Sequence, residues 1–340
     1  MYDGGATFQR IKSARARHEE TRNSISVRIN DLAFTGLSAY HDLLTHQALL
    51  ALGDAFIARH EKILKDVEER KRLGAGSSAD VTQTKARLAA ANARVSEIRE
   101  SAQLAELNFA EFFRTQPDIL SRSVIEAINV DTREQASALA QQANPEIGAA
   151  DARAAASRAD FKASRGARLP QLSLSVDATK FDLFQSDDDF DVRAGVNINY
   201  SIFSGGARGA DISAARARAK QQDFLAEQLR QEVVRDAAIA YERRNGAQYR
   251  LKALEEALIN HDKTRDLVLE RYKLSRGELV DVLQAENDYF DAGIAYLSGL
   301  ANRDLSIYSL MEHTGELLRY FSPSVEYATA LEERGELNAQ

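Results

Sequence analysis

Several features that identify common protein classes are missing from this chain. It contains no Cys, no Trp and only four Pro among 340 residues. Without Cys, disulfides and thiolate chemistry are excluded. The net charge of −7 gives no basic excess for nucleic acid. No apolar run approaches the ~18–20 residues that a membrane-spanning helix needs.

Sequence signatures of catalysis and cofactor binding are also absent. The six His form no HExxH motif and no i,i+4 pair. The glycine-rich segment 205–209 lacks the Lys of a phosphate-binding loop and the GxGxxG spacing of a dinucleotide site. We therefore expect a protein that is not an enzyme, with no cofactor, no metal site and no nucleic-acid partner.

What the chain does contain is an internal repeat at a constant separation of 201 positions, such as that between Gly5 and Gly206 or between Asp80 and Asp281. The repeat continues for about a hundred positions, which is longer than the ~20–50 residues of a solenoid unit. It therefore indicates a duplicated block of secondary structure and a fold with two similar halves.

The repeat predicts how the chain is divided. We expect a single unit at 1–340 with a first repeat at 1–140, a second at 141–321, and a C-terminal tail at 322–340. The counterpart of 141–202 would precede Met1, so the first repeat is expected to lack its first helix and its hairpin. The N-terminus shows no signal peptide.

Two long stretches without proline are rich in Ala, Leu, Glu and Arg, which favour helix. The segment 206–274 predicts one helix of nearly 70 residues, roughly 100 Å at ~1.5 Å per residue. Glycine-containing breaks at 73–78 and 274–278 predict tight turns, with returning helices near 79–113 and 279–313. The fold class is therefore mainly α, built from long antiparallel helical hairpins.

The stretch 169–203 alternates apolar and polar residues, which predicts a β-hairpin. Its second strand is expected to run for 11–12 residues, to about Ile202, close to the ~9–11 of a tilted membrane strand. The hairpin either enters a membrane or covers a helix bundle. In the first case the lipid-facing residues are Val192, Val196, Ile198 and Ile202.

Local motifs and their order then resemble a known family. The motif Asn144-Pro145-Glu146-Ile147, an Ala-rich helix and Leu169-Pro170-Gln171-Leu172 precede the hairpin, and Phe203-Ser204-Gly205-Gly206 follows it. With the two glycine-led turns, this order resembles the TolC-type outer membrane factors of Gram-negative bacteria. The resemblance covers nearly all of residues 1–320.

The resemblance implies a homotrimer in which hairpins form a shared β-barrel in outer-membrane lipid and helices form the wall of a periplasmic tunnel. It implies an exit duct for tripartite efflux or type I secretion, fed by an inner-membrane ABC or proton-driven transporter through a periplasmic adaptor. With one hairpin per chain, three chains would supply six strands instead of twelve. The alternative is a soluble coiled-coil scaffold or adaptor protein without a barrel.

The resemblance also implies roles for the two turns, here called the tips. The adaptor-facing tip residues are expected to be Gly76, Ser77, Ser78, Asp80, Gly277, Glu278, Leu279 and Val280. The expected pore constriction consists of Tyr272, Asp281 and Gln284. Gly277 stands where some members have an Arg, and Gln284 where some have a second Asp. Asp80 is expected to be a helix-start acid, whereas Asp281 fits that role and a pore role equally.

Overall fold

The structure, a computed structural model, describes residues 2–122, 130–180 and 190–321. The tail expected at 322–340 lies outside the described residues. The elements follow one another as α1 (Ala6–Arg72), α2 (Ser78–Phe113), α3 (Arg133–Ala143), α4 (Pro145–Gly166), β1 (Gln171–Lys180), β2 (Phe190–Asn199), α5 (Ala207–Lys273), α6 (Leu279–Thr314) and α7 (Glu316–Phe321).

The mainly α prediction is confirmed, and the helix bounds reproduce the sequence repeat. Helices α1 and α5 both have 67 residues, and α2 and α6 both have 36. Ala6 and Ala207 begin the long helices, and Ser78 and Leu279 begin the returning ones, so both pairs keep the separation of 201 positions. Two helical hairpins of equal length follow from the duplication.

The chain divides into two compact units. The first unit contains Met1–Arg28 and Gln141–Arg235, and the second contains Ile29–Ala140 and Asp236–Gln340. Helices α1 and α5 each contribute residues to both units.

In the first unit, α4 lies between the first turns of α1 and those of α5. Its Ala residues at 154, 156, 159 and 163 are buried, which lets neighbouring backbones approach closely. On one side Asp160 accepts a hydrogen bond from Arg17 at 2.7 Å, and on the other Asp151 accepts one from Arg230 at 2.9 Å. Exposed ion pairs of this kind contribute little, so the small apolar contacts hold the packing.

Strands β1 and β2 pair antiparallel in a register that sets Leu174 opposite Val196 and Gln171 opposite Asn199. The hairpin is present, but β2 ends at Asn199 rather than near Ile202 as expected. Continuing the register would place Pro170 opposite the next residue, and proline has no N–H with which to continue the ladder. Ile202 therefore lies beyond the strand.

In the second unit, clusters of buried side chains join the helices. Phe56 and Phe290 stack with ring centroids 4.1 Å apart, in a cluster that also contains Val95. Arg122 donates hydrogen bonds of 2.7 and 3.0 Å to both carboxylate oxygens of Asp304, fixing the chain after α2 against α6. A two-pronged Arg–carboxylate pair is among the stronger polar contacts in proteins.

The glycines at the junctions before α1 and α5 allow the effect of close packing on stability to be measured. Gly4 and Gly205 both have left-handed φ angles, +65° and +60°. A Cβ at Gly4 would lie 2.3 Å from the Gly166 carbonyl oxygen, whereas one at Gly205 would meet nothing within 4 Å. Gly205→Ala should cost about 1–2 kcal/mol of backbone strain, and Gly4→Ala distinctly more. Urea unfolding of both variants measures the difference, and equal losses would contradict the packing argument.

Candidate functional site

The β-hairpin presents one apolar face to its surroundings. Leu174 and Val196 are paired across the strands and are 66% and 67% exposed, and Ile198 is 69% exposed. The same face carries Leu172, Val176 and Val192, all of which are exposed. A contiguous exposed apolar surface of this kind marks a site of contact with protein or membrane.

The opposite face of the hairpin is polar along its length. Asn197 donates a hydrogen bond from its side-chain nitrogen to the Ser175 hydroxyl at 3.1 Å. Asp177 and Arg193 are partners in the register. One polar and one apolar face are what a strand pair needs between lipid and a water-filled lumen.

The two tips lie over one shared hydrophobic cluster in the second unit. Its buried members come from α1, α2 and α6: Ile63, Val67, Val81, Leu279, Val282 and Leu283. Helix α5 contributes partly buried residues that pack against them. Tyr272 packs against the same cluster. At Gly76 and Gly277 an added Cβ would lie only 3.1 and 3.3 Å from the preceding helix backbone, so both turns close tightly.

The helices after the two turns begin differently. Ser77 and Asp80 form a reciprocal capping box, with both hydrogen bonds at 3.0 Å. At the matching positions, Glu278 makes no side-chain cap, and Asp281 is exposed in the first turn of α6. Among the described residues Asp281 has no hydrogen bond or ion pair, so its carboxylate is uncommitted within one chain.

Tyr272 is held by a residue that the sequence reasoning missed. The Arg70 guanidinium lies 4.3 Å above the centre of the Tyr272 ring. It also donates hydrogen bonds of 3.3 and 3.4 Å to the carbonyls of Tyr272 and Lys273 at the end of α5. The sequence did contain a signal for Arg70. The repeat pairs it with Arg271 and so places a basic residue in the last turn of each long helix.

The three residues expected at the constriction are not joined in one chain. Gln284 donates a hydrogen bond to Asp288 at 2.7 Å, one turn further along α6. Tyr272 faces the shared cluster and Arg70, and no hydrogen bond among the described residues links it to Asp281. A single chain therefore presents the three side chains separately.

Exposed leucines at the tips form a second feature that the sequence reasoning missed. Leu73 and Leu274 occupy matching repeat positions and are 66% and 60% exposed. Val280, at the start of α6, is 45% exposed. These side chains extend the expected tip surface, and the repeat itself was the signal for the leucine pair.

Below the tips, the second unit buries a charged cluster. Glu286 is only 2% exposed, and its carboxylate lies 3.8 Å from the Arg59 guanidinium. Arg265, which is bonded to Asp262 at 2.7 Å and Asp266 at 3.1 Å, also attracts it. Burial raises the pKa of Glu286, and the two arginines offset this only in part.

Among the residues that the structure describes, none of the helices combines the length and apolarity needed to cross a membrane. No group of three His, Asp or Glu side chains comes together there in a way that could hold a metal ion.

Comparison of folds defines the class of protein first. The structure superposes on the outer-membrane channel OprN with a TM-score of 0.83, covering 92% of this chain and 72% of that one. Sequence identity across the superposition is 21%. The long helical hairpins and the β-hairpin are thus those of outer-membrane channel proteins.

Sequence comparison then identifies the family. The family model described as "Outer membrane efflux protein" matches residues 136–316, more than half of the chain, and the chain belongs to this family. Outer membrane efflux protein BepC of Brucella suis biovar 1 (strain 1330) is 23% identical over 320 residues, which cover 93% of this chain and 70% of BepC. Protein CyaE of Bordetella pertussis (strain Tohama I) is 27% identical over 336 residues, covering 94% and 69%.

Membership confirms the resemblance read from the sequence. The protein is an outer-membrane exit duct for efflux or type I secretion, with a helical tunnel in the periplasm. Members of the family and its structural neighbours are channel proteins, and such channels assemble with periplasmic adaptors and inner-membrane transporters.

The buried carboxylate predicts how stability depends on pH. Because burial raises the pKa of folded Glu286 above its ordinary 4.5, ionisation weakens the fold as pH rises through the folded pKa. At pH values below the pKa of Glu286 in the unfolded chain, this loss of stability is absent. Glu286→Gln should therefore melt above the unmodified protein at neutral pH, and the difference should vanish as pH falls toward 4.5.

Glu256→Gln is the matched control, because Glu256 is exposed on α5. It should leave the melting temperature unchanged across the same range. A lower melting temperature for Glu286→Gln at neutral pH would show instead that attraction to Arg59 and Arg265 outweighs desolvation.

Proposed function

We propose that three copies of this chain assemble into a duct whose hairpins lie in outer-membrane lipid and whose tips meet a periplasmic adaptor. The observation that carries the proposal is the exposed apolar face of the hairpin, centred on the Leu174–Val196 pair. A soluble scaffold would have to cover that face with protein. The duct passes what an inner-membrane ABC or proton-driven transporter delivers, and it needs no catalytic step.

Assembly is supported by the edges of the hairpin. Within the described residues, β1 and β2 pair with one another, and Tyr2 adds a single bridge to Leu172. A two-stranded hairpin is marginal alone, and open strand edges recruit further strands. Hairpins from neighbouring copies would satisfy those edges by pairing side by side.

The tips support docking of the adaptor. Leu73, Leu274 and Val280 expose apolar side chains where the two turns share one core. A partner that covers them gains from apolar burial at ~25 cal/mol per Å². We propose that the predicted tip residues, from Gly76 to Asp80 and from Gly277 to Val280, hold these side chains in position for the adaptor.

The constriction is proposed to form between copies around Asp281. Its carboxylate is exposed and uncommitted in one chain, and a three-fold ring of such groups attracts cations and repels itself. Tyr272, braced by Arg70, and Gln284, bonded to Asp288, line the approach to this ring.

The hairpin proposal predicts a strong difference between neighbouring positions. Val196→Arg places a charge on the apolar face and should cost about 2–4 kcal/mol of stability in the membrane. Asn197→Arg, on the polar face, is the matched control and should cost much less. Folding titrations in lipid vesicles measure both, and equal tolerance of the two substitutions would count against lipid contact.

The constriction proposal predicts a change in ion selectivity. Asp281→Asn should weaken cation preference and block by multivalent cations in planar-bilayer recordings of the assembled channel. Asp80→Asn is the control, because Asp80 is committed to its capping box. Unchanged selectivity in Asp281→Asn would place the narrowest point elsewhere.

A further inference from the structure

A polar cavity of about 500 Å³ opens in the first unit beside the base of the β-hairpin. Its wall includes Arg10 from α1, Arg168 from the chain after α4, and Arg208 from α5. Gln171, the first residue of β1, also lines it. Three segments that are distant in sequence thus bring three guanidinium groups to one recess.

The positive charge of the cavity is not balanced by its own carboxylates. Asp160 and Asp211 line the wall, but Asp160 already accepts a hydrogen bond from Arg17 at 2.7 Å. Among the described residues the guanidinium groups of Arg10 and Arg168 have no hydrogen bond or ion pair. Only Arg208 is engaged, donating a hydrogen bond of 3.2 Å to the Ser201 carbonyl. Arg10 is also attracted to Asp3, which is not part of the wall. Within the wall, three cations face one uncommitted carboxylate, that of Asp211.

One of these charges, that of Arg208, is placed unfavourably with respect to its own helix. Arg208 is the second residue of α5, whose first turn contains no acidic residue. A cation at the positive end of a helix loses rather than gains from the helix dipole. An anion in the cavity would be attracted both by the guanidinium groups and by this helix end. The matching end of α1 is capped by Asp3, which accepts from the Thr7 N–H at 2.7 Å.

The cavity lies where the apolar face of the hairpin begins. Gln171 lines its wall, and the next residues on the apolar face are Leu172 and Leu174. If the hairpin lies in lipid, as proposed above, this level is the boundary where headgroup phosphates of the membrane lie. Arginine binds phosphate oxygens in pairs and suits this position.

We propose that this cavity binds the phosphate of an anionic phospholipid headgroup, with Arg10 and Arg168 as its free donors and Arg208 at its floor. The inference rests on the proposed placement of the hairpin in the membrane. It assigns the recess a lipid partner, which would fix the height of the hairpin in the membrane.

The test uses the purified full chain and its Arg10→Gln/Arg168→Gln double variant. Native mass spectrometry would measure retention of phosphatidylglycerol and of phosphatidylcholine. The unmodified protein should retain phosphatidylglycerol preferentially, and the double variant should lose roughly ten-fold in that retention. The double variant Arg218→Gln/Lys220→Gln, at two exposed residues of α5 outside the cavity, removes the same two positive charges and should leave retention unchanged.

Three outcomes would overturn the inference separately. Equal retention of the two lipids by the unmodified protein would exclude a site that selects an anionic headgroup. Displacement of phosphatidylglycerol by inorganic phosphate at equal concentration would identify a site for free anions. An equal loss of phosphatidylglycerol retention in Arg218→Gln/Lys220→Gln would show that net charge alone explains the effect. Flotation with phosphatidylcholine vesicles tests the hairpin alone, so failure to float would refute membrane placement and not the anion chemistry.

Discussion

Two helices of 67 residues each must be held in place by packing, and the rest of the structure depends on how that is done. Isolated helices gain little from propensity alone, so packing has to hold them. The chain uses small residues at the contacts. Ala237 and Ala240 are almost fully buried on α5, and Gly299 on α6 receives the Leu254 side chain, whose Cδ1 would lie 2.6 Å from an added Cβ. Such contacts allow close packing without a wide apolar stripe.

The duplication gives the two halves helices and turns of equal length, but the side chains at matching positions differ. The two tips have turns of the same length over one core, yet only the first has a capping box. Gly74 adopts its left-handed φ of 78° without strain, whereas Ser275, at the matching position, does so at 57° with a side chain. The second tip is thus less well stabilised locally, and the carboxylate of Asp281 is not used in a cap. This difference favours the second tip as the one that carries a chemical role in the channel.

Periodicity and breaker residues predicted the helices closely, because both are local properties of the chain. The helix expected at 206–274 is Ala207–Lys273, and the one expected near 279–313 is Leu279–Thr314. The end of β2 was missed, because it depends on Pro170 in the partner strand. The contact of Arg70 with Tyr272 and the burial of Glu286 were missed as well, because each depends on which side of a helix meets another helix. A helix without a strict heptad pattern does not reveal that side.

The buried charged side chains described above lie among the packed helices and not at the tips or the β-hairpin. Glu286 and Arg265 are enclosed in the second unit, where desolvation opposes ionisation and several groups share the compensation. The carboxylate of Asp281 and the guanidinium groups of Arg10 and Arg168 are exposed and uncommitted. Because they are exposed, these groups are accessible to the neighbouring copies, permeant ions and lipid proposed above. Exposure alone does not set them apart from other surface charges, so their place at a tip or in a cavity carries the argument.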